Sequence, residues 1–265
     1  MGMRLLFLNP NTSAHLTDLG LAVARKHARP DTQFVAMTGR FGARYISTRA
    51  AAAIAAHATL DAFAHCEEAV DVVLLACFGD PGLLALRELT PVPVVGMAEA
   101  SCHMAAGLGA KFSIVTGGAR WGPMLEEFVT TIGLGSKLAS VRSMAPSGAQ
   151  IAANPEAALD ELAASCRLAV DEDGAEAVIL GGLGLAGLAE VLADTVPVPL
   201  IDNVRAAVRA AEAAAGLGAR NARLGSLALP APIETTGLAS RLAALLEGRQ
   251  HGERAAPGGG QGSAG

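Results

Sequence analysis

The sequence predicts an α/β protein built from two pseudo-symmetric αβ lobes, each with a parallel four-stranded sheet flanked by helices. Short aliphatic runs alternate with longer Ala-rich amphipathic segments, which is typical of βαβ units. Strand-like runs also recur about 105 residues further along the chain. Aromatic residues make up only 3% of the 265 residues, so the core must be aliphatic, as suits parallel sheets covered by helices.

The internal repeat pairs a cysteine with a glycine. The matched segments are 71–83 with 176–188, 91–96 with 197–202, and 4–11 with 111–118. In the first pair Cys77 aligns with Gly182. If the halves face each other across a pseudo-twofold axis, these two residues approach one cleft from opposite sides. One wall of that cleft then carries a thiol and the other carries none.

Each element follows from a local pattern. Short β-branched or aliphatic runs predict strands at 4–8, 33–37, 71–76, 92–95, 111–115, 138–142, 177–181 and 198–201. Amphipathic Ala-rich runs predict helices at 13–28, 49–66, 81–88, 98–108, 121–132, 155–172, 187–193 and 203–216, with one more short helix at 235–247. Residues 11–13 offer N-caps for the first helix, Pro155 suits a first helical position, and Gly107 and Gly109 suit a helix end.

The chain is expected to divide into two lobes. Lobe 1 is predicted to comprise residues 1–97 and 203–230, and lobe 2 residues 98–202. Residues 248–265 are rich in glycine and polar residues and are predicted to form a disordered tail without a role in the chemistry.

Composition excludes several classes of function. A net charge of −5 without a basic run argues against nucleic-acid binding. No segment reaches the ~18 uninterrupted apolar residues of a membrane span, and the apolar run at 5–8 is too short for a signal peptide. The four cysteines lack CxxC or metal-ligand spacing, so we expect no metal and a cytoplasmic protein with reduced thiols.

Cys77 is the predicted catalytic residue. It follows an apolar strand, and ligands of parallel sheets bind beyond the carboxyl ends of strands. Nearby amide N–H groups and a helix dipole are expected to lower its pKa and make it a base or nucleophile. The alternative is a buried structural cysteine, a common fate of free thiols. The repeat favours catalysis because it places both strand ends at one cleft.

Further candidates are expected to bind the substrate. Loops that end a strand and open toward a helix present backbone N–H groups, which suit an anion. The predicted substrate-binding residues are Asn9, Asn11, Tyr45, Phe78, Gly79, Thr116, Gly117, Gly182, Leu183 and Gly184. Plain capping or packing is the alternative for the two asparagines and for Tyr45. Asp80 is interpreted as a cap for the helix it precedes, and His103 as a helix histidine rather than a proton carrier.

Six stretches of the sequence match those of a known protein family. The matching stretches are residues 8–13, 75–83, 95–100, 112–116, 172–181 and 198–202, of which the Cys-Phe-Gly-Asp-Pro-Gly run from Cys77 is the most specific. The chain resembles the aspartate/glutamate/hydantoin racemase superfamily, most closely its hydantoin-racemase-like branch. The resemblance implies an active site between two αβ lobes and cofactor-independent chemistry at a carbon next to a carbonyl or carboxylate.

The resemblance also implies one cysteine on each side of that carbon, and here the sequence departs from it. Cys77 matches the first cysteine, whereas Gly182 stands where the second is expected. We therefore expect a racemase-like isomerase acting on a hydantoin-type amino-acid derivative, with Cys77 as acid/base and no cofactor. A one-thiol lyase similar to arylmalonate decarboxylase, or a silent binding protein, are the alternatives. Water or His103 are the candidates for a second proton source, and a homo-oligomer is one option for the assembly.

Overall fold

Two parallel four-stranded sheets form the framework of the protein. The computed structural model describes residues 2–222 and 224–249. The first sheet has the strand order β2-β1-β3-β4 and the second the order β6-β5-β7-β8. The strands are β1 Arg4–Asn9, β2 Gln33–Thr38, β3 Val72–Leu75, β4 Val94–Gly96, β5 Phe112–Gly117, β6 Leu138–Met144, β7 Ala177–Gly181 and β8 Leu200–Asp202. All pairings are parallel, so the predicted fold class is confirmed.

The helices cover both sheets and fall close to their predicted ranges. They are α1 Ala14–His27, α2 Arg49–Ala64, α3 Leu83–Leu89, α4 Met97–Leu108, α5 Trp121–Thr131, α6 Gly148–Ala153, α7 Leu159–Asp171, α8 Leu188–Val191, α9 Asn203–Gly216 and α10 Ser240–Leu246. Among the described residues no helix is both long and apolar enough to cross a membrane.

The structure differs from the predicted elements in several places. Helix α7 begins at Leu159 rather than at 155, because residues Glu156–Ala158 form a separate 3-10 turn after Pro155, and α10 begins at Ser240 rather than at 235. Helix α3 begins at Leu83 rather than at 81, because Asp80 and Gly82 both have positive φ angles, of 47° and 86°, which no α-helix accommodates. Helix α6 was not predicted, and it begins with a capping box in which Ser147 and Gln150 each bond the other's backbone N–H. The tail predicted at 248–265 lies outside the described residues from 250 onward.

Helices α4 and α9 bring the two halves together. Helix α4 follows β4 of the first sheet yet packs on β7 of the second, and α9 follows β8 of the second sheet yet packs on β3 of the first. The two helices also pack on each other. One hydrophobic cluster therefore runs through both sheets, from Phe7 in β1 to Phe112 in β5. The predicted lobe boundaries remain our proposed division of the chain.

Candidate active site

A narrow cavity of about 40 Å³ lies where the carboxyl ends of β3 and β7 meet. It is lined by Asn11, Leu16, Tyr45, Ile46, Ala76, Cys77, Phe78, Thr116, Trp121, Gly148, Gly181, Gly182, Leu183, Gly184 and Leu185. Cys77 and Gly182 thus border one space, as the repeat predicts. The two strand ends also touch, because a Cβ placed on Gly181 would come within 2.6 Å of the Phe78 ring.

Cys77 follows directly from the end of β3. The Ala76 N–H donates to the Leu8 carbonyl at 2.7 Å, which fixes the chain just before the thiol. Cys77 is 7% exposed, and its accessible surface faces the cavity that it lines. Burial, and secondarily the charge of Asp80, raises the pKa of the Cys77 thiol. The expected lowering of its pKa is therefore wrong, and the free protein holds Cys77 as a neutral thiol.

The opposite wall is formed by a sharp turn at Gly182. This residue has φ 120° and ψ 139°, a conformation that side-chain-bearing residues rarely adopt. The Asn203 amide holds the turn by donating to the Gly182 carbonyl at 3.0 Å and also to the Leu180 carbonyl. A Cβ at position 182 would meet only ordinary contacts, with Leu185 at 3.7 Å and the Thr116 hydroxyl at 3.8 Å. Space for a side chain is present, but the backbone favours glycine.

Tyr45 bridges the two halves of the molecule at the cavity. Its hydroxyl donates to the Gly117 carbonyl at 2.8 Å and accepts the Gly148 N–H at 3.1 Å. Burial raises the pKa of Tyr45, while the hydrogen bond from Gly148 opposes that shift and a charge on Cys77 would add to it. The phenol therefore stays protonated at neutral pH, in a part of the wall that also feels the charge state of Cys77.

The loop after β1 is organised by side-chain amides. Asn11 lines the cavity, and its Oδ1 accepts the Ser13 N–H at 2.9 Å and the Asn9 amide at 3.0 Å. Asn9 is fully buried and also donates to Thr17 at 3.0 Å. Asn9 therefore holds the loop from behind, while Asn11 forms its inner surface.

Most of the predicted site residues border the cavity. Those on the wall are Cys77, Asn11, Tyr45, Phe78, Thr116, Gly182, Leu183 and Gly184. Asn9, Gly79 and Gly117 lie behind it: a Cβ on Gly79 would come 3.0 Å from the Trp121 ring, and the Gly117 carbonyl is occupied by Tyr45. The residues that sequence reasoning did not select are Leu16, Ile46, Ala76, Trp121, Gly148, Gly181 and Leu185. The repeat match and the Thr-Gly-Gly loop could have indicated Gly181 and Trp121, whereas Gly148 had no signal in the sequence.

His103 is not in this cavity. It is exposed on α4 and lines a separate open groove together with Val95, Glu99, Met104 and Leu108. Swinging His103 into the cleft as a second proton source would require α4 to leave the core, because its neighbour Cys102 is fully buried there. That alternative is wrong.

The match to known families covers most of this framework. The family model described as Asp/Glu/Hydantoin racemase matches residues 5–211, which include both sheets and the whole cavity wall. The chain belongs to the Asp/Glu/hydantoin racemase family. Its predicted relationship is thereby confirmed.

Several family members resemble the chain along nearly its full length. A hydantoin racemase from Pseudomonas sp. (strain NS671) is 36% identical over 236 residues, which cover 89% of this chain and 95% of that protein. The crystal structure of an allantoin racemase from Pseudomonas fluorescens superimposes with a TM-score of 0.86 at 35% identity, covering 89% of this chain and 100% of that chain. An arylmalonate decarboxylase structure, at 20% identity and a TM-score of 0.58 over 85% of this chain and 98% of that one, shares the fold.

Proposed function

We propose that this protein is a cofactor-independent racemase-like isomerase that moves a proton at the carbon next to a carbonyl of a hydantoin-type substrate. The observation that carries the proposal is a thiol on the wall of an interlobe cavity in a chain 36% identical to a hydantoin racemase. In the hydantoin ring such a carbon lies between one carbonyl group and a ring nitrogen, and the carbonyl oxygen takes up the charge when the carbon loses its proton. An enolate formed there needs hydrogen-bond donors and an acid/base group, and no metal or redox centre takes part in the proposed steps.

The proposed steps use groups on opposite walls. The first N–H groups of the short helical turn at 183–185 have no acceptors within that turn, so they are suited to an enolate oxygen. Each such donor lowers the activation barrier by on the order of 3 kcal/mol. Inversion requires one deprotonated group: a base on the lobe 2 side, which has first lost its own proton to water, removes the proton from the carbon, and Cys77, a neutral thiol at rest, delivers its proton to the opposite face. The two groups thereby exchange protonation states, and proton exchange with water restores them.

Tyr45 is the second proton-transfer group in this proposal. Among the lining side chains with an exchangeable proton (Asn11, Tyr45, Cys77, Thr116 and Trp121), only the thiol and the phenol have ordinary pKa values near the range that acid/base catalysis uses, and burial raises both pKa values. The Tyr45 hydroxyl is anchored to the lobe 2 groups Gly117 and Gly148. The Tyr45 hydroxyl therefore provides an acid/base group on the lobe opposite Cys77, where Gly182 has no side chain to do so.

A second candidate function rests on the same glycine. With a thiol on one wall only, the site also suits a lyase that removes CO2 from a malonate-type acid and protonates the enolate from one face. Gly182 leaves the other wall without a side chain, and an added Cβ there would make only ordinary contacts, so this is where we place the departing carboxylate. The arylmalonate decarboxylase that shares the fold acts as the precedent for this alternative.

Solvent deuterium distinguishes the two reactions. A purified enantiopure 5-substituted hydantoin incubated in D2O is expected to incorporate deuterium and to lose optical rotation together. Incorporation with retained rotation, together with CO2 release from an arylmalonate, would instead establish the lyase. Cys77→Ala is expected to lower either activity by about 10²- to 10⁴-fold, the usual contribution of a general acid. Near-normal turnover by a folded Cys77→Ala variant would contradict the site assignment.

A further inference from the structure

The loop that carries Cys77 is tied to the interior by one buried carboxylate. Asp80 is 5% exposed, and its two oxygens accept the N–H groups of Ala98 at 2.9 Å and Glu99 at 2.8 Å, in the first turn of α4. The Asp80 N–H in turn donates to the Cys77 carbonyl at 3.0 Å. Asp80 therefore caps α4, not the helix α3 that follows it in sequence, and joins the thiol's own backbone to a core helix.

The second half makes the same connection in the reverse direction. Asp202, at the end of β8, accepts the N–H groups of Val204 and Arg205 in the first turn of α9, both at 3.0 Å. Its other oxygen accepts the Gly187 N–H at 2.6 Å, in the segment that follows the Gly182 turn. By the repeat, Asp202 corresponds to Gly96 in the first half, and Leu185 corresponds to Asp80.

The two arrangements are interchangeable in their backbone geometry. Gly96 has φ −80° and ψ 136°, and Asp202 has φ −76° and ψ 123°, so an aspartate fits the backbone at position 96. The main obstacle is Asp80 itself, whose Oδ2 and Cγ would lie 2.2 Å and 2.6 Å from a Cβ at Gly96; the end of the Leu83 side chain, at 2.8 Å, would also have to shift. Each half thus has room for one carboxylate at this junction, supplied by the loop in one half and by the strand in the other.

We propose that Asp80 is the positioning residue that holds Cys77 at the cavity, and that its role can be transferred to position 96. The inference rests on the proposed function only for its kinetic readout. A carboxylate bonded to the N-terminus of α4 is further stabilised by the helix dipole, so it fixes the loop more firmly than a neutral cap. Small displacements of a reacting group reduce turnover steeply, whereas Asn11, a predicted substrate-binding residue, lies on another loop.

The exchange of the two residues tests this assignment. Asp80→Gly tolerates the positive φ and should lower kcat by about 10- to 100-fold with little change in KM. The double variant Asp80→Gly with Gly96→Asp should recover kcat to within about tenfold of the wild type, which is a coupling that independent sites do not give. The rate at which iodoacetamide alkylates Cys77, followed by mass spectrometry, should rise in the single variant and return in the double variant.

The alkylation readout separates this proposal from the proposed function. If no hydantoin or malonate is turned over but alkylation follows the expected order, the positioning role stands and the proposed function fails. If the double variant folds by circular dichroism yet alkylates like the single one, the positioning role is overturned.

Two conservative substitutions, a test variant and a matched control, replace this experiment if the exchange variants do not fold. Asp80→Asn leaves an amide donor facing one α4 N–H, whereas Glu212→Gln changes another buried carboxylate that accepts a backbone N–H, from Arg29, away from the cavity. Asp80→Asn is expected to lower kcat and raise Cys77 alkylation, and Glu212→Gln to change neither by more than about twofold. Equal behaviour of the two variants would overturn the proposal.

Discussion

Restoring a thiol at position 182 gives the sharpest test of the two-wall site. Gly182→Cys places sulfur across from Cys77, in a space whose nearest atoms to an added Cβ are 3.7 Å and 3.8 Å away. We expect racemisation of an enantiopure hydantoin to increase by about 10²-fold or more, the lower end of what a positioned acid/base group contributes. Polarimetry in H2O and deuterium incorporation in D2O both measure that gain.

The same substitution carries a calculable cost. Because φ at Gly182 is 120°, a side chain there adds on the order of 1–3 kcal/mol of backbone strain. In a chain of this size 1 kcal/mol lowers Tm by roughly 2–4 °C, so a fall of about 2–12 °C is expected. Gly182→Ala is the matched control, since it imposes the same strain without a sulfur. Equal racemisation rates for the alanine and cysteine variants would refute the reasoning that position 182 borders the reacting carbon.

Three further perturbations test the wall and its supports. Tyr45→Phe should reduce racemisation by about 10²-fold while preserving one-sided deuterium incorporation, because only the lobe 2 proton carrier is lost; equal loss of both would contradict that role. Gly184→Ala should lower the free energy of unfolding in urea by more than about 3 kcal/mol, because its Cβ would lie 2.0 Å from the Gly148 carbonyl oxygen. Gly107→Ala is the control: its Cβ would meet nothing within 4 Å, so it should not destabilise α4. Burial raises the pKa of Asp80 to about 7. The folded state therefore keeps a proton that the unfolded state releases near pH 4. As a result, the contribution of Asp80 to the free energy of unfolding falls as pH rises from 4 to 7. Relative to wild type, Asp80→Asn should therefore gain up to about 4 kcal/mol across that window, and parallel pH profiles of the two proteins would disprove it.

The sequence was sufficient to locate the strand ends that carry the chemistry. The alignment of Cys77 with Gly182 predicts that both border one cleft, because parallel strands in matched halves end at matched edges, and both line the cavity. The thiol's resting state could not be obtained in this way. Its raised pKa depends on the burial of Cys77 and on the position of Asp80, and both are properties of packing rather than of local pattern.

Long-range contacts account for what the sequence did not reveal. Gly148 enters the wall beside Gly184, where a Cβ would lie 2.0 Å from the Gly148 carbonyl oxygen. This contact joins residues 36 positions apart, and no periodicity encodes it. The sequence predicts that Asp80 caps α3, the helix beside it. Because φ is positive at Asp80 and Gly82, the chain turns here before α3 begins, and the Asp80 carboxylate caps α4 instead. Caps that reach across the fold resemble local caps in sequence.

The exchange of α4 and α9 between the sheets bears on how a doubled chain came to carry unequal loops. A polypeptide with only one half would leave that helix without a sheet to cover, and it would bury the exposed face only by trading helices with an identical neighbour. In such a pair of identical chains, every substitution would appear on both sides of the cleft at once. A chain that holds both halves has no such constraint, and here one side of the cleft carries sulfur and the other bare backbone.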